Sequence, residues 1–96
     1  MTIDVIIPVR NGEQFIAECL ESVLKQSKYT SITRILVVND GSTDRTARIV
    51  ENLKMRISKL ELFSIEPSGL SAARNFGLSK ATSSNVAFLD SDDKWL

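Results

Sequence analysis

The chain has 96 residues, of which 43% are hydrophobic and 25% charged, a composition that fits one small globular domain and not a disordered segment. Its 12 basic residues balance 12 acidic ones, so no net charge draws it towards nucleic acid or anionic lipid. The presence of a single cysteine, Cys19, and the lack of histidine exclude an internal disulfide, a cysteine-based zinc site and histidine as a general base.

The hydrophobic pattern predicts strands that alternate with helices along the whole chain. The first segment, 3–9, is a β-branched run typical of a parallel strand that is covered on both faces. In chain order the predicted elements are a strand at 3–9, a helix at 12–26, a strand at 32–38, a helix at 44–57, a strand at 60–65, a helix at 71–81 and a strand at 85–90. Because the connections are short, we expect one α/β domain built from parallel β-α-β units, with 60–65 at a sheet edge.

Polar residues collect where each predicted strand ends. The clusters are PVRNG at 8–12, NDGSTD at 39–44, EPSG at 66–69 and DSDD at 90–93. The amino-terminal ends of the strands show no comparable cluster. Since ligands of open parallel sheets bind beyond the carboxyl ends of the strands, we expect the four clusters to share one site there.

The acidic cluster at 90–93 is a candidate metal site. Asp90 and Asp92 are two residues apart at the end of an extended segment, so they point to the same side and repel each other unless a cation lies between them. Mg²⁺ and Mn²⁺ take carboxylate oxygens and complete their shells with water and substrate phosphates. A helix cap is the structural alternative for the same residues.

Asp40 and Arg74 are the other candidate ligand contacts. A strand-to-helix turn explains Ser42, Thr43 and Asp44, but it does not require Asp40, whose carboxylate suits the N–H or O–H of a polar ring. Arg74 is either an ordinary surface arginine or a residue whose planar guanidinium binds an anionic ligand. The chain contains neither the G-x-G-x-x-G dinucleotide fingerprint nor the G-x-x-x-x-G-K-[ST] phosphate loop.

Four segments, in this order, resemble the amino-terminal half of family 2 glycosyltransferases of the inverting, GT-A type. They are VIIPVRNGEQFIAECLESVLKQ at 5–26, ILVVNDGSTDRT at 35–46, GLSAARNFGL at 69–78 and VAFLDSDD at 86–93. The resemblance covers nearly the whole chain. It implies a Rossmann-like, three-layer α/β/α domain that binds a nucleotide sugar and transfers the sugar to an acceptor with inversion at the anomeric carbon.

The resemblance also implies a role for individual residues. For nucleotide binding these are Pro8, Val9, Asn11, Asp40, Arg74 and Asp90. Asp40 matches the aspartate that contacts the base, and Asp92 with Asp90 matches the D-x-D motif that holds Mg²⁺ or Mn²⁺. The role of Asp93 is not separable from theirs. Asn39 departs from the Asp-Asp-Gly-Ser pattern that is common in the family, which affects base choice more than nucleotide binding.

The resemblance further implies a UDP-linked donor and, in polysaccharide biosynthesis, a saccharide or lipid-linked saccharide as acceptor. Residues 1–96 are interpreted as the nucleotide-sugar-binding part of the domain, without the acceptor half that carries the general base. We therefore expect the chain alone to be inactive, and to self-associate through the apolar surface that the other half covers.

The sequence shows no signal peptide and no run of roughly 18 apolar residues, which predicts a cytoplasmic domain, at the cytoplasmic face of the membrane in a full-length protein. Two other functions remain open. A non-catalytic α/β interaction module would keep the fold and use the same rim for protein contacts. A nucleotidyltransferase is disfavoured, because PVRNGEQ has one glycine and one arginine where that class has a Gly- and Arg/Lys-rich loop.

Overall fold

Strands and helices alternate in the computed structural model, which describes residues 2–26 and 31–92. The elements of this part of the chain are β1 (Ile3–Val9), α1 (Ile16–Lys25), β2 (Ile32–Asp40), α2 (Thr46–Lys54), β3 (Leu60–Ile65), α3 (Leu70–Lys80) and β4 (Asn85–Phe88). The predicted α/β fold is confirmed, and each predicted element is present.

The four described strands form a parallel sheet in the order β3-β2-β1-β4. β3 lies at an edge, as predicted. The chain adds β2 and β3 on one side of β1 and then returns to place β4 on the other side. The strand order therefore reverses between β1 and β4, and in open α/β sheets such a reversal creates a crevice at the carboxyl ends of the two strands.

Alternate residues of β1 face different helices. Val5, Ile7 and Val9 are fully buried with the apolar sides of α1 and α2. Ile6 faces α3, where Gly77 comes so close that an added Cβ would lie 2.6 Å from Ile6 Cγ2. The sheet is thus covered on both faces, and each fully buried Val or Ile contributes about 1.5–3 kcal/mol to folding.

Several element boundaries differ from the prediction. Helix α1 begins at Ile16 instead of residue 12, because residues 12–15 form a turn in which the Gly12 carbonyl accepts the N–H of Phe15. β2 extends to Asp40, two residues beyond the predicted end. Helix α2 is shorter than predicted at both ends, although Ile57, beyond its end, is still buried.

The prediction that the amino-terminal ends of the strands carry no comparable polar cluster is wrong. Asp4, near the start of β1, is fully buried, and its carboxylate accepts the N–H of Thr82 at 2.8 Å and the N–H of Ser83 at 3.1 Å. Arg34 on β2 lies 3.4 Å from the same carboxylate and 3.2 Å from Glu61 on β3. Sequence reasoning missed this cluster because Asp4 stands inside an apolar run and its loop partners are 78 and 79 residues away.

None of the helices in residues 2–26 and 31–92 combines the length and the apolar character that crossing a membrane requires. Several large apolar side chains are nevertheless exposed on this part of the chain. They are Phe15, Met55, Leu70, Leu78 and Phe88. Ile6 and Phe88 are partners in the β1–β4 pairing and therefore share the face of the sheet that α3 covers.

Candidate functional site

A cavity of about 460 Å³ opens at the carboxyl ends of β1 and β4, where the strand order reverses. Its wall combines Pro8 near the end of β1, the residues between β1 and α1, the residues that follow β4 and the first residue of α3. The residues that line it are Pro8, Arg10, Asn11, Gly12, Phe15, Leu70, Asp90, Ser91 and Asp92. Apolar walls with a few convergent polar groups are typical of small-molecule sites.

The sequence-predicted site residues fall into two groups. Pro8, Asn11, Asp90 and Asp92 line the cavity. The other three are set back from it, and their positions are as follows: Val9 is fully buried in the core, Asp40 is buried at the end of β2, and Arg74 contacts Asp90 from α3. Asp93 lies outside the described residues.

Arg74 and Asp90 form an ion pair across the cavity rim. Arg74 Nη2 donates to Asp90 Oδ1 at 2.9 Å, with 39% of the arginine and 49% of the aspartate side chain exposed. At this exposure the pair contributes little to stability, about 0–1 kcal/mol. Its effect is local, because it fixes the direction of one carboxylate and partly offsets the acidic charge at this point of the wall.

The carboxylates of Asp90 and Asp92 fit a hard divalent cation. Within residues 2–26 and 31–92, no three His, Cys, Asp or Glu side chains lie close enough together to hold a metal ion by themselves. Mg²⁺ and Mn²⁺ do not need such a group, since they are commonly held by one or two carboxylates and by substrate phosphates. Asp90 and Asp92 are two carboxylates of one cavity wall, which is the number of protein ligands that such a site commonly uses.

Asn11 joins the loop after β1 to the loop after β2. Its backbone is left-handed, with φ of 51°, a conformation that asparagine tolerates better than most residues. Its N–H donates to Ser42 Oγ at 2.9 Å, and its Oδ1 accepts the N–H of Thr43 at 2.8 Å. Because the Thr43 N–H can only donate, its bond identifies the Asn11 Oδ1 atom, and the NH₂ group of Asn11 has no hydrogen-bond acceptor among residues 2–26 and 31–92.

Asp44 reinforces the same junction between the two loops. Its carboxylate accepts the N–H of Thr46 at 2.9 Å and the N–H of Glu13 at 3.2 Å. Partial burial opposes ionisation, but the hydrogen bonds from Thr46 and Glu13 outweigh it and lower the pKa of Asp44. The interpretation of Asp44 as part of a strand-to-helix turn is therefore sound, and the turn also holds the loop that carries Asn11.

Asp40 holds the connection between β3 and α3. It is 1% exposed, and its two oxygens accept the N–H groups of Ser68 at 2.7 Å and Gly69 at 2.9 Å. The neighbouring Asn39 uses its amide inside the protein as well, donating to Ser64 Oγ at 3.3 Å and accepting the N–H of Ser42 at 3.1 Å. Asp40 and Asp92 thus lie at the same end of the sheet, as the sequence predicts.

Sequence reasoning missed several residues of the cavity wall. They are Arg10, Gly12, Phe15, Leu70 and Ser91, of which the first two and the last were placed at the site with their clusters but given no role of their own. Arg10 could have been predicted from the sequence, since it stands in the PVRNG cluster between two residues assigned to the site. Phe15 and Leu70 carry no such signal, because a large apolar residue at the start of a helix usually belongs to the core.

Comparison with known proteins gives a consistent result. The model of the family described as Glycosyl transferase family 2 matches residues 4–96. Glycosyltransferase GlyA of Streptococcus pneumoniae is 43% identical over 94 residues, which are 98% of this chain and 13% of GlyA. The poly(ribitol-phosphate) β-N-acetylglucosaminyltransferase TarS of Staphylococcus aureus is 39% identical over 97 residues, covering 97% of this chain and 16% of TarS.

Solved structures resemble the fold closely. The crystal structure of Staphylococcus aureus TarS in complex with UDP-GlcNAc has a TM-score of 0.86 and 37% identity over 98% of this chain and 27% of that one. The mannosyltransferase PcManGT of Pyrobaculum calidifontis, in complex with GDP-Man and Mn²⁺, has a TM-score of 0.89 and 29% identity over 97% and 28%. The chain spans less than a third of the length of each of these relatives.

Proposed function

This chain belongs to glycosyl transferase family 2, and from that membership we propose that it forms the donor-binding part of an enzyme that transfers a sugar from a nucleoside diphosphate to an acceptor. The observation that carries the proposal is the cavity at the β1–β4 reversal, where Asp90 and Asp92 meet Pro8 and Asn11. A diphosphate ester needs cationic partners, which Arg10 and a dication held by the two acids would supply, and a nucleoside needs an apolar surface, which the apolar side chains of the same wall provide.

The proposed donor is a UDP-linked sugar. Support comes from TarS, a relative that carries UDP-GlcNAc in its crystal structure. We assign the base contact to Asp40, whose carboxylate has about four acceptor positions and uses two of them for Ser68 and Gly69. Pro8 and the main chain beside Val9 are assigned to the nucleotide on the strength of the family motif.

The diphosphate end of the donor is assigned to the acidic part of the wall. Asp92, with Asp90, would hold Mg²⁺ or Mn²⁺, and a dication bound there offsets the negative charge that develops on the leaving diphosphate. Arg74 fixes Asp90 from the side through its 2.9 Å bond. The NH₂ group of Asn11, on the loop after β1, donates a hydrogen bond to the nucleotide sugar.

The acceptor side of the reaction is proposed from the family alone. We propose transfer with inversion to a saccharide or lipid-linked saccharide in polysaccharide biosynthesis, with a general base supplied from outside residues 1–96. We also propose that exposed apolar side chains such as Leu78 and Phe88, 49% and 47% exposed, mediate self-association of this chain.

Titration with UDP and Mn²⁺, followed by amide NMR, tests donor binding. We expect saturable broadening of the Asn11 and Asp92 amide signals, because bound Mn²⁺ is paramagnetic, and an affinity lower by about tenfold or more in Asp92→Ala, because a carboxylate that holds the cation is lost. Glu51→Ala is the control, since Glu51 is an exposed acid on α2.

Two results would count against the proposal. If UDP with Mn²⁺ produces no change in the parent chain, the site does not bind the donor and the interaction-module alternative gains support. Equal effects of Asp92→Ala and Glu51→Ala would remove the role assigned to Asp92.

A further inference from the structure

We propose that Asp40 is a positioning residue for the diphosphate side of the cavity, in addition to any contact with the base. It acts by holding the connection 66–69 between β3 and α3, from which α3 reaches the cavity. The inference rests on the proposed function, because it concerns how the same donor site is built.

The contacts of Asp40 are those of a structural anchor. Its carboxylate is buried, and both of its oxygens accept backbone N–H groups, from Ser68 at 2.7 Å and from Gly69 at 2.9 Å. Hydrogen bonds to an ionised acceptor are shorter and stronger than neutral ones, and two of them on consecutive residues fix the path of the chain.

The connection itself is exposed and depends on ties to the end of β2. Residues 66–69 are all exposed, and the Ser68 hydroxyl bonds within the connection, to the Glu66 carbonyl at 2.8 Å. Pro67 packs against Gly41, where an added Cβ would lie 2.6 Å from the proline ring. Asp40 and Gly41 are consecutive, so the end of β2 determines where the connection lies.

The helix that begins after this connection supplies two parts of the proposed donor site. The Gly69 carbonyl accepts the N–H of Ala73 at 3.0 Å, so the residue that Asp40 holds is part of the first turn of α3. Leu70 lines the cavity, and Arg74, about one turn later, donates to Asp90. A shift of the connection therefore moves Leu70 and Arg74 together.

Inorganic pyrophosphate with Mn²⁺ separates positioning from base recognition, because the probe contains no base. Asp40→Asn leaves one carbonyl oxygen for two N–H donors and turns an NH₂ group towards the other donor. We expect the Ser68 and Gly69 amide signals to move, and the affinity for pyrophosphate with Mn²⁺ to fall about fivefold. Unchanged pyrophosphate affinity in Asp40→Asn, with UDP affinity reduced, would assign Asp40 to the base alone and overturn the proposal.

A second variant disturbs the connection without touching Asp40. Gly69 has φ of 97°, and an added Cβ would meet no atom within 4 Å, so Gly69→Ala introduces backbone strain and no clash. We expect the same loss of pyrophosphate affinity. Full affinity in Gly69→Ala, together with displaced amide signals at positions 68 and 69, would show that the connection does not matter for the site.

Asp4→Asn is the matched control, since Asp4 is also a buried carboxylate that accepts two consecutive loop N–H groups, at the other end of the sheet. It should leave the pyrophosphate affinity of the folded protein unchanged. If the parent binds neither UDP nor pyrophosphate, the proposed function fails, and the positioning role is then tested in the free protein. Movement of the Arg74 side-chain signal and the Leu70 methyl signals in Asp40→Asn supports it, and their constancy overturns it.

Discussion

Arg10 is a cationic side chain on the cavity wall that has no ion pair or hydrogen bond among residues 2–26 and 31–92. The two acids of the same wall are both exposed, but Asp90 is paired with Arg74, whereas Asp92 has no ion pair among residues 2–26 and 31–92. A free guanidinium beside a cavity is available for an anionic ligand, and its fork suits two phosphate oxygens at once.

We predict that Arg10→Ala lowers the affinity for UDP with Mn²⁺ about tenfold, because one charge-assisted contact is lost. Arg10→Lys should lie between the parent and Arg10→Ala, since it keeps the charge and loses the fork. Calorimetric titration measures all three affinities. Arg48→Ala, at an exposed position on α2, is the control, and equal losses in Arg10→Ala and Arg48→Ala would contradict the prediction.

Individual side chains near the site were only partly predictable. Val9 was assigned to the nucleotide pocket by resemblance, yet strand alternation places it with Val5 and Ile7 in the core. Asp90 and Asp92 were predictable, since they follow the end of a strand in a known type of sheet. The Asp40 bonds to Ser68 and Gly69 were not, because they join residues 28 and 29 positions apart that share no pattern.

At the scale of the elements, helix α3 lies unusually close to the sheet. An added Cβ on Gly77 would be 2.6 Å from Ile6 Cγ2 and 3.3 Å from Val38 Cγ2, and both of these atoms belong to buried side chains of central strands. Because well-packed side chains have little room to move, the helix itself would have to shift to accept a methyl group.

Gly77→Ala should therefore destabilise the protein by about 1–3 kcal/mol through overpacking, even though alanine favours a helix over glycine by about 1 kcal/mol. Urea unfolding measures the change as a lower midpoint with an unchanged m-value. Asn75→Ala, at an exposed position of α3, is the control and should change stability by less than about 0.5 kcal/mol. A Gly77→Ala protein as stable as the parent would show that the close approach is not required.

The existence and order of the elements were predictable, and their ends were less so. β1 and β3 have the predicted bounds, because the buried run of β1 and the mixed apolar and polar pattern of β3 leave little choice of register with the core. The start of α1 was misplaced by four residues. Gly12 and Glu13 instead donate their N–H groups to Thr46 and Asp44, tertiary contacts that no local pattern reveals.

Across the whole molecule, polar residues have different tasks at the two ends of the sheet. Each end has a buried carboxylate that accepts loop N–H groups, Asp40 at the carboxyl ends and Asp4 at the amino ends, but the carboxyl ends add an exposed acid on a cavity wall, Asp92. The sequence predicted the parallel sheet from alternating strands and helices, but not that β1 and β4 are neighbours. That pairing follows from packing α3 on the opposite face from α1 and α2, which depends on contacts such as Gly77 against Ile6.

The cluster around Asp4 makes the stability of the whole fold depend on pH in acid. Burial opposes ionisation of Asp4, but the N–H groups of Thr82 and Ser83, the Ser83 hydroxyl and Arg34 outweigh it and lower the pKa below the ordinary 3.8. The ionised Asp4 therefore contributes its full stabilisation well above pH 3.8, where the carboxyl is ionised in both the folded and the unfolded chain. As the pH falls below this value, the unfolded chain takes up the proton first and the folded state loses stability.

Asp4→Asn should lower the free energy of unfolding at neutral pH by about 2–4 kcal/mol, because Arg34 loses a buried ionic partner. The variant should also lose less stability than the parent as the pH falls below 3.8, since it has no proton to gain at this position. Urea unfolding at a series of acidic pH values measures both effects.

Asp44→Asn should independently reduce the loss of stability in acid, because the pKa of Asp44 is also lowered and the two carboxylates lie at opposite ends of the sheet. A double variant whose stability still falls in parallel with that of the parent would show that neither carboxylate is the source of the acid sensitivity.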